Sequence, residues 1–191
     1  MRFRGITDRI DRWIGAEFEE TLFYNYSGDA RSSIKPPDNV RIEPLAPEHA
    51  ALLGSLPGSE SQLAPLRFKN GDVCYVAYLD DRLVHYSWVR RSGIQEIPEA
   101  DLQEAVLPGQ FWIYHCWTAS EARGRKIYPS VLTRIINDHF QSGFSLARIY
   151  TSRKNVASQS GIQYAGFRLT STTSAFRLGS RHWKMGRAHN V

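Results

Sequence analysis

A strand, a basic turn and a helix follow one another between residues 111 and 140, and this unit constrains the fold more than any other stretch. Residues 111–119, FWIYHCWTA, are almost wholly apolar, as a strand buried on both faces requires. Residues 127–140 set Ile127, Val131, Ile135, Ile136 and Phe140 on one helical stripe. Between them lies the turn SEARGRK, residues 120–126. A helix opening on such a turn has unpaired leading amides and the positive end of its dipole at one spot. Arg123, Arg125 and Lys126 add charge there, and Gly124 gives the turn its freedom. The combination is suited to phosphate.

The flanking segments extend the pattern. Residues 40–45 read as a strand, and 47–56 and 58–66 as two helices, the first with proline in its first turn. Residues 73–79 and 83–90 form a hairpin around Asp80-Asp81-Arg82. Residues 146–151 read as a strand and 155–165 as a helix, with Asn155 as its N-cap and Gly166 just beyond its end. Residues 167–170 and 173–178 read as a final pair of strands. Alternating strands and helices in this order predict an α/β fold, a mixed central sheet with helices on both faces. The helix after residue 119 is expected to join two parallel strands by a right-handed crossover.

Residues 1–39 read as an N-terminal appendage: a short helix over 6–14, a strand over 19–26, and a polar linker. Residues 40–180 form the main domain, and 181–191 a basic C-terminal tail. A chain of 191 residues supports one domain with a full core. The net charge of +5 favours an anionic ligand, but the basic residues are dispersed and match no nucleic-acid motif. Two cysteines, Cys74 and Cys116, build no disulfide framework and fit a reducing compartment. No apolar run suits a signal peptide or a bilayer span. The expectation is a cytoplasmic protein without stable membrane insertion, without nucleic acid and without a metal site, whose N-terminal segment is open to a homodimer interface.

Taken together, the Arg123-Gly124 turn, Asn155 with Ser158, and Gly166-Phe167 resemble the GNAT superfamily of acyl-CoA-dependent N-acyltransferases. The resemblance covers residues 40–179. The phosphate loop of the family usually carries two further glycines, where this chain has Lys126 and Tyr128. Many members carry a tyrosine acid seven residues after the asparagine, where this chain has Ile162. The resemblance implies a GNAT-like fold that uses acetyl-CoA or another acyl-CoA as co-substrate. It implies acyl-CoA contacts at Trp117, Thr118, Arg123, Gly124, Arg125, Lys126, Ile127, Tyr128, Asn155 and Ser158. Backbone N–H groups at Trp117 and Thr118 are the expected donors to the thioester oxygen.

The implied activity is transfer of an acetyl group to the amine of a small molecule, an amino sugar or amino-acid derivative, by direct attack. Tyr114 aligns with a catalytic glutamate of several members, and His115 has a suitable pKa for a base. Strict alternation sets Trp112, Tyr114, Cys116 and Thr118 on one face and His115 and Trp117 on the other, unless a bulge re-aims His115. Two other readings stay open: a non-catalytic acyl-CoA-binding or protein-interaction domain with a degenerate site, and a protein N-acetyltransferase.

Overall fold

The computed structural model describes residues 16–28, 34–178 and 181–189, with side chains described for 19–28 and 34–176. Eight strands form the main sheet: β1 Ala16–Tyr26, β2 Val40–Pro44, β3 Val73–Leu79, β4 Arg82–Arg90, β7 Gln110–Thr118, β8 Leu146–Ser152, β9 Arg168–Leu178 and β10 Arg181–His189. Two further strands, β5 Ile94–Ile97 and β6 Leu102–Ala105, pair as a separate hairpin. The helices are α1 Ala64–Lys69, α2 Ile127–Gln141 and α3 Val156–Tyr164.

Strand order across the sheet is β10-β9-β1-β8-β7-β4-β3-β2. Every neighbouring pair is antiparallel except β7 and β8. Parallel neighbours need a crossover, and α2 supplies it. The parallel register runs only from Gln110 opposite Leu146 to Ile113 opposite Ile149. Beyond Ile113 the two strands no longer pair, and a cleft opens between them.

Packing explains why this unit holds. Phe111, Trp112 and Ile113 are each 0% exposed, so the first half of β7 is covered on both faces. On one side lie Val131, Leu132, Ile135 and Ile136 of α2 with Ile162 of α3. On the other, Leu53, Leu56 and Ala64 cover Cys74, Tyr86, Trp88 and Tyr114. Truncating a residue such as Ile135 to alanine costs about 2–5 kcal/mol. The β3–β4 turn is tight because Asp80 and Asp81 both take positive φ, 48° and 61°. That is the geometry a two-residue hairpin turn requires, and Asn39 steadies it by donating to Asp80 at 3.0 Å.

Several expectations change. The strand expected in an N-terminal appendage is β1, which lies inside the sheet between β8 and β9, so the sheet does not divide at residue 39. The tail expected from residue 181 begins as β10, paired with β9. The pair of strands expected over 167–178 is one strand, β9. Its register against β1 shifts between Phe23, opposite Ser171, and Tyr24, opposite Leu169. The extra residue, Thr170, turns its hydroxyl to the Phe23 carbonyl at 3.1 Å, so the polar residues that read as a turn make a bulge. The helix expected over 47–56 is a 3-10 helix, Pro47–Ser55, and the second is a 3-10 turn, Ser61–Leu63, leading into α1. The helix expected over 6–14 lies outside the described residues. Among the described residues no helix is long and apolar enough to cross a membrane.

Candidate functional site

The site grows from one irregularity in β7. Opposite β4, Trp88 faces Tyr114, Tyr86 faces Trp117 and His85 faces Thr118. Two residues of β7, His115 and Cys116, therefore share the single partner Ser87, which defines a β-bulge, and His115 takes φ 47° to make it. The bulge reverses the alternation downstream. His115 joins the face of Tyr114, against Tyr86 at 5.4 Å between ring centroids. Trp117 stacks on Tyr86 at 6.3 Å and 13°. Cys116 turns to the opposite face with Thr118, where its thiol meets Ser87 and Tyr128. Strict alternation had set His115 apart from Tyr114; the bulge brings them together.

One cavity, of about 640 Å³, lies on the Cys116 side, between the turn before α2 and the first turns of α3. Arg123, Gly124, Lys126, Ile127, Asn155 and Ser158 all line it, along with Trp117, Thr118 and Tyr128. Gly124 sits at φ +75° and Lys126 at φ 59°. These two left-handed residues fold the turn back on itself and start the helix. Arg125 faces a smaller recess of about 260 Å³ beside Lys126, Pro37 and Asn39. Pro129 carries no N–H, and the Ser130 N–H is taken by the Lys126 carbonyl at 3.1 Å. The free amides of α2 are thus those of Ile127 and Tyr128. At α3 the Asn155 side chain accepts from the Ser158 N–H at 3.1 Å, the N-cap bond expected of it. The Ala119 N–H donates to the Val84 carbonyl at 2.8 Å, so the Trp117 amide also turns toward β4 and only that of Thr118 faces the open edge. Of these two backbone amides, Trp117 is thus turned to β4 and Thr118 away from it.

A second cavity, of about 790 Å³, lies across β7 and is walled by α1, the β5 end of the small hairpin, β7 and β8. Both volumes are within the usual range for small-molecule sites. Cys116, Tyr128, Asn155 and Ser158 line both cavities, so the two meet there. The Tyr128 ring lies over Gly161, where a Cβ would come within 2.6 Å of Cδ1. Its hydroxyl bonds Ser158 and Cys116, and burial holds its pKa well above the ordinary phenol value. Burial also pushes the Cys116 thiol up to about 11, which leaves it a weak nucleophile at neutral pH. Ile162 is 0% exposed and belongs to the core.

In the second cavity the expected catalytic pair is already engaged. The Tyr114 hydroxyl donates to Asp72 Oδ2 at 2.6 Å, and Arg90 pairs with the same carboxylate at 2.8 Å. Burial first, and Asp72 second, raise the Tyr114 pKa far from that of a base. Arg67 donates to His115 Nδ1 at 2.8 Å, so the ring proton sits on Nε2, directed at the Gly58 carbonyl at 3.0 Å. Burial and the Arg67 charge lower the His115 pKa, and the ring is neutral. Arg67 also pairs with Glu60 and lies over Trp88 at 5.1 Å and Tyr114 at 5.6 Å. Both residues expected to carry proton transfer are built into the wall. Glu60, Arg67, Gln95, Glu96, Glu99 and Tyr150 line this cavity too, and no sequence motif singled them out. Among the described residues no group of three or more His, Cys, Asp or Glu is arranged to hold a metal ion.

No protein-family model matches the sequence, and no curated protein matches it. Solved structures do. An acetyltransferase assigned to the GNAT family, from Novosphingobium aromaticivorans, is similar at TM-score 0.58 and 15% identity, over 84% of this chain and 65% of that one. A GCN5-related N-acetyltransferase from Sphaerobacter thermophilus is similar at TM-score 0.61 and 13% identity, over 96% of this chain and 56% of that one. An aminoglycoside acetyltransferase from an uncultured soil metagenomic sample is similar at TM-score 0.51 and 16% identity, over 68% of this chain and 88% of that one. The chain spans 65% and 56% of the length of the first two. It has the GNAT acetyltransferase fold, a mixed α/β sheet with its helices.

Proposed function

We propose that this protein is an acyl-CoA-dependent N-acyltransferase that moves an acetyl group from acetyl-CoA to the amine of a small molecule. The observation that carries this reading is the meeting of two cavities at Cys116, Tyr128, Asn155 and Ser158, beside the cleft where β7 and β8 part. One cavity suits a polyanionic acyl donor. Two helix N-termini open on it, and Arg123 and Lys126 line it without an ion pair among the described residues. The other is large enough for a small amine.

Acyl-CoA, when bound, supplies the acyl thioester. The chain's own groups do the rest. The free amides of Ile127 and Tyr128, with Arg123, Arg125 and Lys126, hold phosphate oxygens. The Thr118 N–H faces the edge where an acyl oxygen gains charge. The Tyr128 hydroxyl, protonated at all physiological pH, stands at the junction to donate to a leaving sulfur, the role that Ile162 cannot fill. Tyr114 and His115 shape and hold the acceptor wall. Proton acceptance from the amine falls to the cavity carboxylates, of which Glu60 stands 3.4 Å from His115 Nδ1.

The test is thiol release from acetyl-CoA over a panel of small amines. Amine-dependent release, reduced in Arg125→Ala/Lys126→Ala, is the expected result. Binding of acetyl-CoA without release for any amine, or for any peptide N-terminus, would instead favour the non-catalytic acyl-CoA-binding reading. That reading draws on Lys126 and Tyr128 in place of the family glycines.

A further inference from the structure

One buried histidine belongs to neither cavity wall. His85 of β4 is 0% exposed, yet both of its ring nitrogens are bonded, Nδ1 with the Thr118 hydroxyl at 2.7 Å and Nε2 with the Ser87 hydroxyl at 2.8 Å. Burial lowers its pKa to about 3, so the ring is neutral and holds a single proton. A neutral imidazole donates from one nitrogen and accepts at the other.

The bonds continue from Ser87 to the junction of the two cavities. The bulge turns Cys116 to the face of Ser87, and its thiol bonds both Ser87 and Tyr128. Burial raises the thiol pKa, and these two partners pull against it, as hydroxyls donating to the sulfur do. The thiol's own proton has the Tyr114 carbonyl, 3.7 Å from the sulfur. A hydroxyl holds one proton. Ser87 gives its proton to Cys116, so it accepts from His85, which places the ring proton on Nε2 and makes Thr118 the donor to Nδ1. Ser158 bonds the Tyr128 hydroxyl as well.

A separate observation concerns the Tyr128 ring. Gly161 stands inside α3, although glycine is a weak helix former. A Cβ there would come within 2.6 Å of the ring. The glycine lets Tyr128 pack against α3 with its ring centroid 5.8 Å from that of His85. Helix stability is given up to keep this hydroxyl where the cavities meet.

We propose that His85, Ser87 and Cys116 are positioning residues that aim the Tyr128 hydroxyl at the cavity junction and steady the tyrosinate left when its proton passes to the leaving sulfur. This rests on the acyltransferase reading. At rest the Tyr128 O–H donates to the Cys116 sulfur, and both residues line both cavities. As the C–S bond of the thioester breaks, its electron pair stays on the leaving sulfur. The Tyr128 O–H bond breaks, and an S–H bond forms there. The Cys116 thiol then turns its proton from the Tyr114 carbonyl to the phenolate oxygen, beside the Ser158 hydroxyl. The proton given up by the attacking amine returns to Tyr128 through water. His85 stays neutral throughout, and its Nε2–H keeps the Ser87 proton turned to the sulfur.

Two measurements test this. Side-chain 15N NMR of the free protein reads the His85 tautomer. Nε2–H is expected, and Nδ1–H would overturn the proposal whether or not any amine is acetylated. Single-turnover thiol release at saturating acetyl-CoA and amine reads the effect on the chemical step. Cys116→Ala and Ser87→Ala are expected to slow it by about tenfold, the scale of one hydrogen bond to a charged group, with the steady-state KM for the amine unchanged. Cys116→Ser, which keeps a donor and an acceptor, is expected to restore the rate. Added to Tyr128→Phe, Ser87→Ala should cost nothing more, because both act through one hydroxyl. Alanine variants as fast as the wild type, Cys116→Ser no faster than Cys116→Ala, or losses that multiply in the Tyr128→Phe double variant would overturn the proposal. Those results leave the acyltransferase reading standing. A wild type that releases no thiol with any amine fails that reading instead, and the tautomer alone then decides the line of hydrogen bonds.

Discussion

The two cavities on either side of β7 are close in volume, about 640 and 790 Å³, but handle charge in opposite ways. Near the α2 turn, Arg123, Arg125 and Lys126 are exposed and have no ion pair among the described residues. In the other cavity each arginine is neutralised at once, Arg67 by Glu60 and Arg90 by Asp72. Cations in the first are available to a ligand; cations in the second hold up a wall. Charge left unspent in a cavity indicates the ligand, whereas charge already paired indicates construction.

The largest expected effect separates these two kinds of cation. Arg90→Leu strands the Asp72 carboxylate, whose side chain is 2% exposed, and should destabilise the protein by about 3–5 kcal/mol, read as a fall in the denaturation midpoint. An unchanged midpoint would mean that Arg90 belongs with the free cations. Arg125→Ala/Lys126→Ala should do the reverse. Stability should stay within about 0.5 kcal/mol of the wild type, because both residues are exposed. Affinity for acetyl-CoA should fall by roughly 10–100-fold, more at low salt than at high. Loss of folding with no loss of affinity would reverse the comparison.

Histidines on the two faces of β7 sharpen it further. His85, on the Cys116 face, bonds Thr118 at 2.7 Å and Ser87 at 2.8 Å through its two ring nitrogens, and burial lowers its pKa to about 3. His115, on the other face, is also lowered. The unfolded chain takes up protons near pH 6.5 where the native protein does not. Stability is therefore full above that pH and lost as pH falls below it, by up to about 1.4 kcal/mol per unit for each such histidine. Urea midpoints at pH 7 and pH 5 check this, and equal midpoints would contradict it. The smallest effect is expected of Tyr128→Phe, which should lower kcat by about tenfold with acetyl-CoA affinity unchanged, the scale of one hydrogen bond to a charged group. A matching loss of affinity would give Tyr128 a binding role only.

What could be read from the sequence follows the range of the signals. The strand–turn–helix around Gly124, the Asn155 cap and the Gly166 stop are local, set by neighbours in the chain, and the structure has all three. The place of β1 depends on pairing Ala16–Tyr26 with strands more than a hundred residues on, and nothing near it in sequence says so. The bulge at His115 depends on β4, which offers Ser87 alone to two residues, so alternation within β7 misplaced His115. The wall of the larger cavity was the least legible. Glu60, Arg67, Gln95 and Glu99 come from four separate segments, and only the fold brings them to one cavity.

The most direct test of the account is a calorimetric titration of the protein with acetyl-CoA, with ATP and desulfo-CoA alongside. The account predicts saturable binding of acetyl-CoA, much tighter than that of ATP and weakened in Arg125→Ala/Lys126→Ala. No heat of binding at millimolar acetyl-CoA, or equal affinity for ATP, would contradict it.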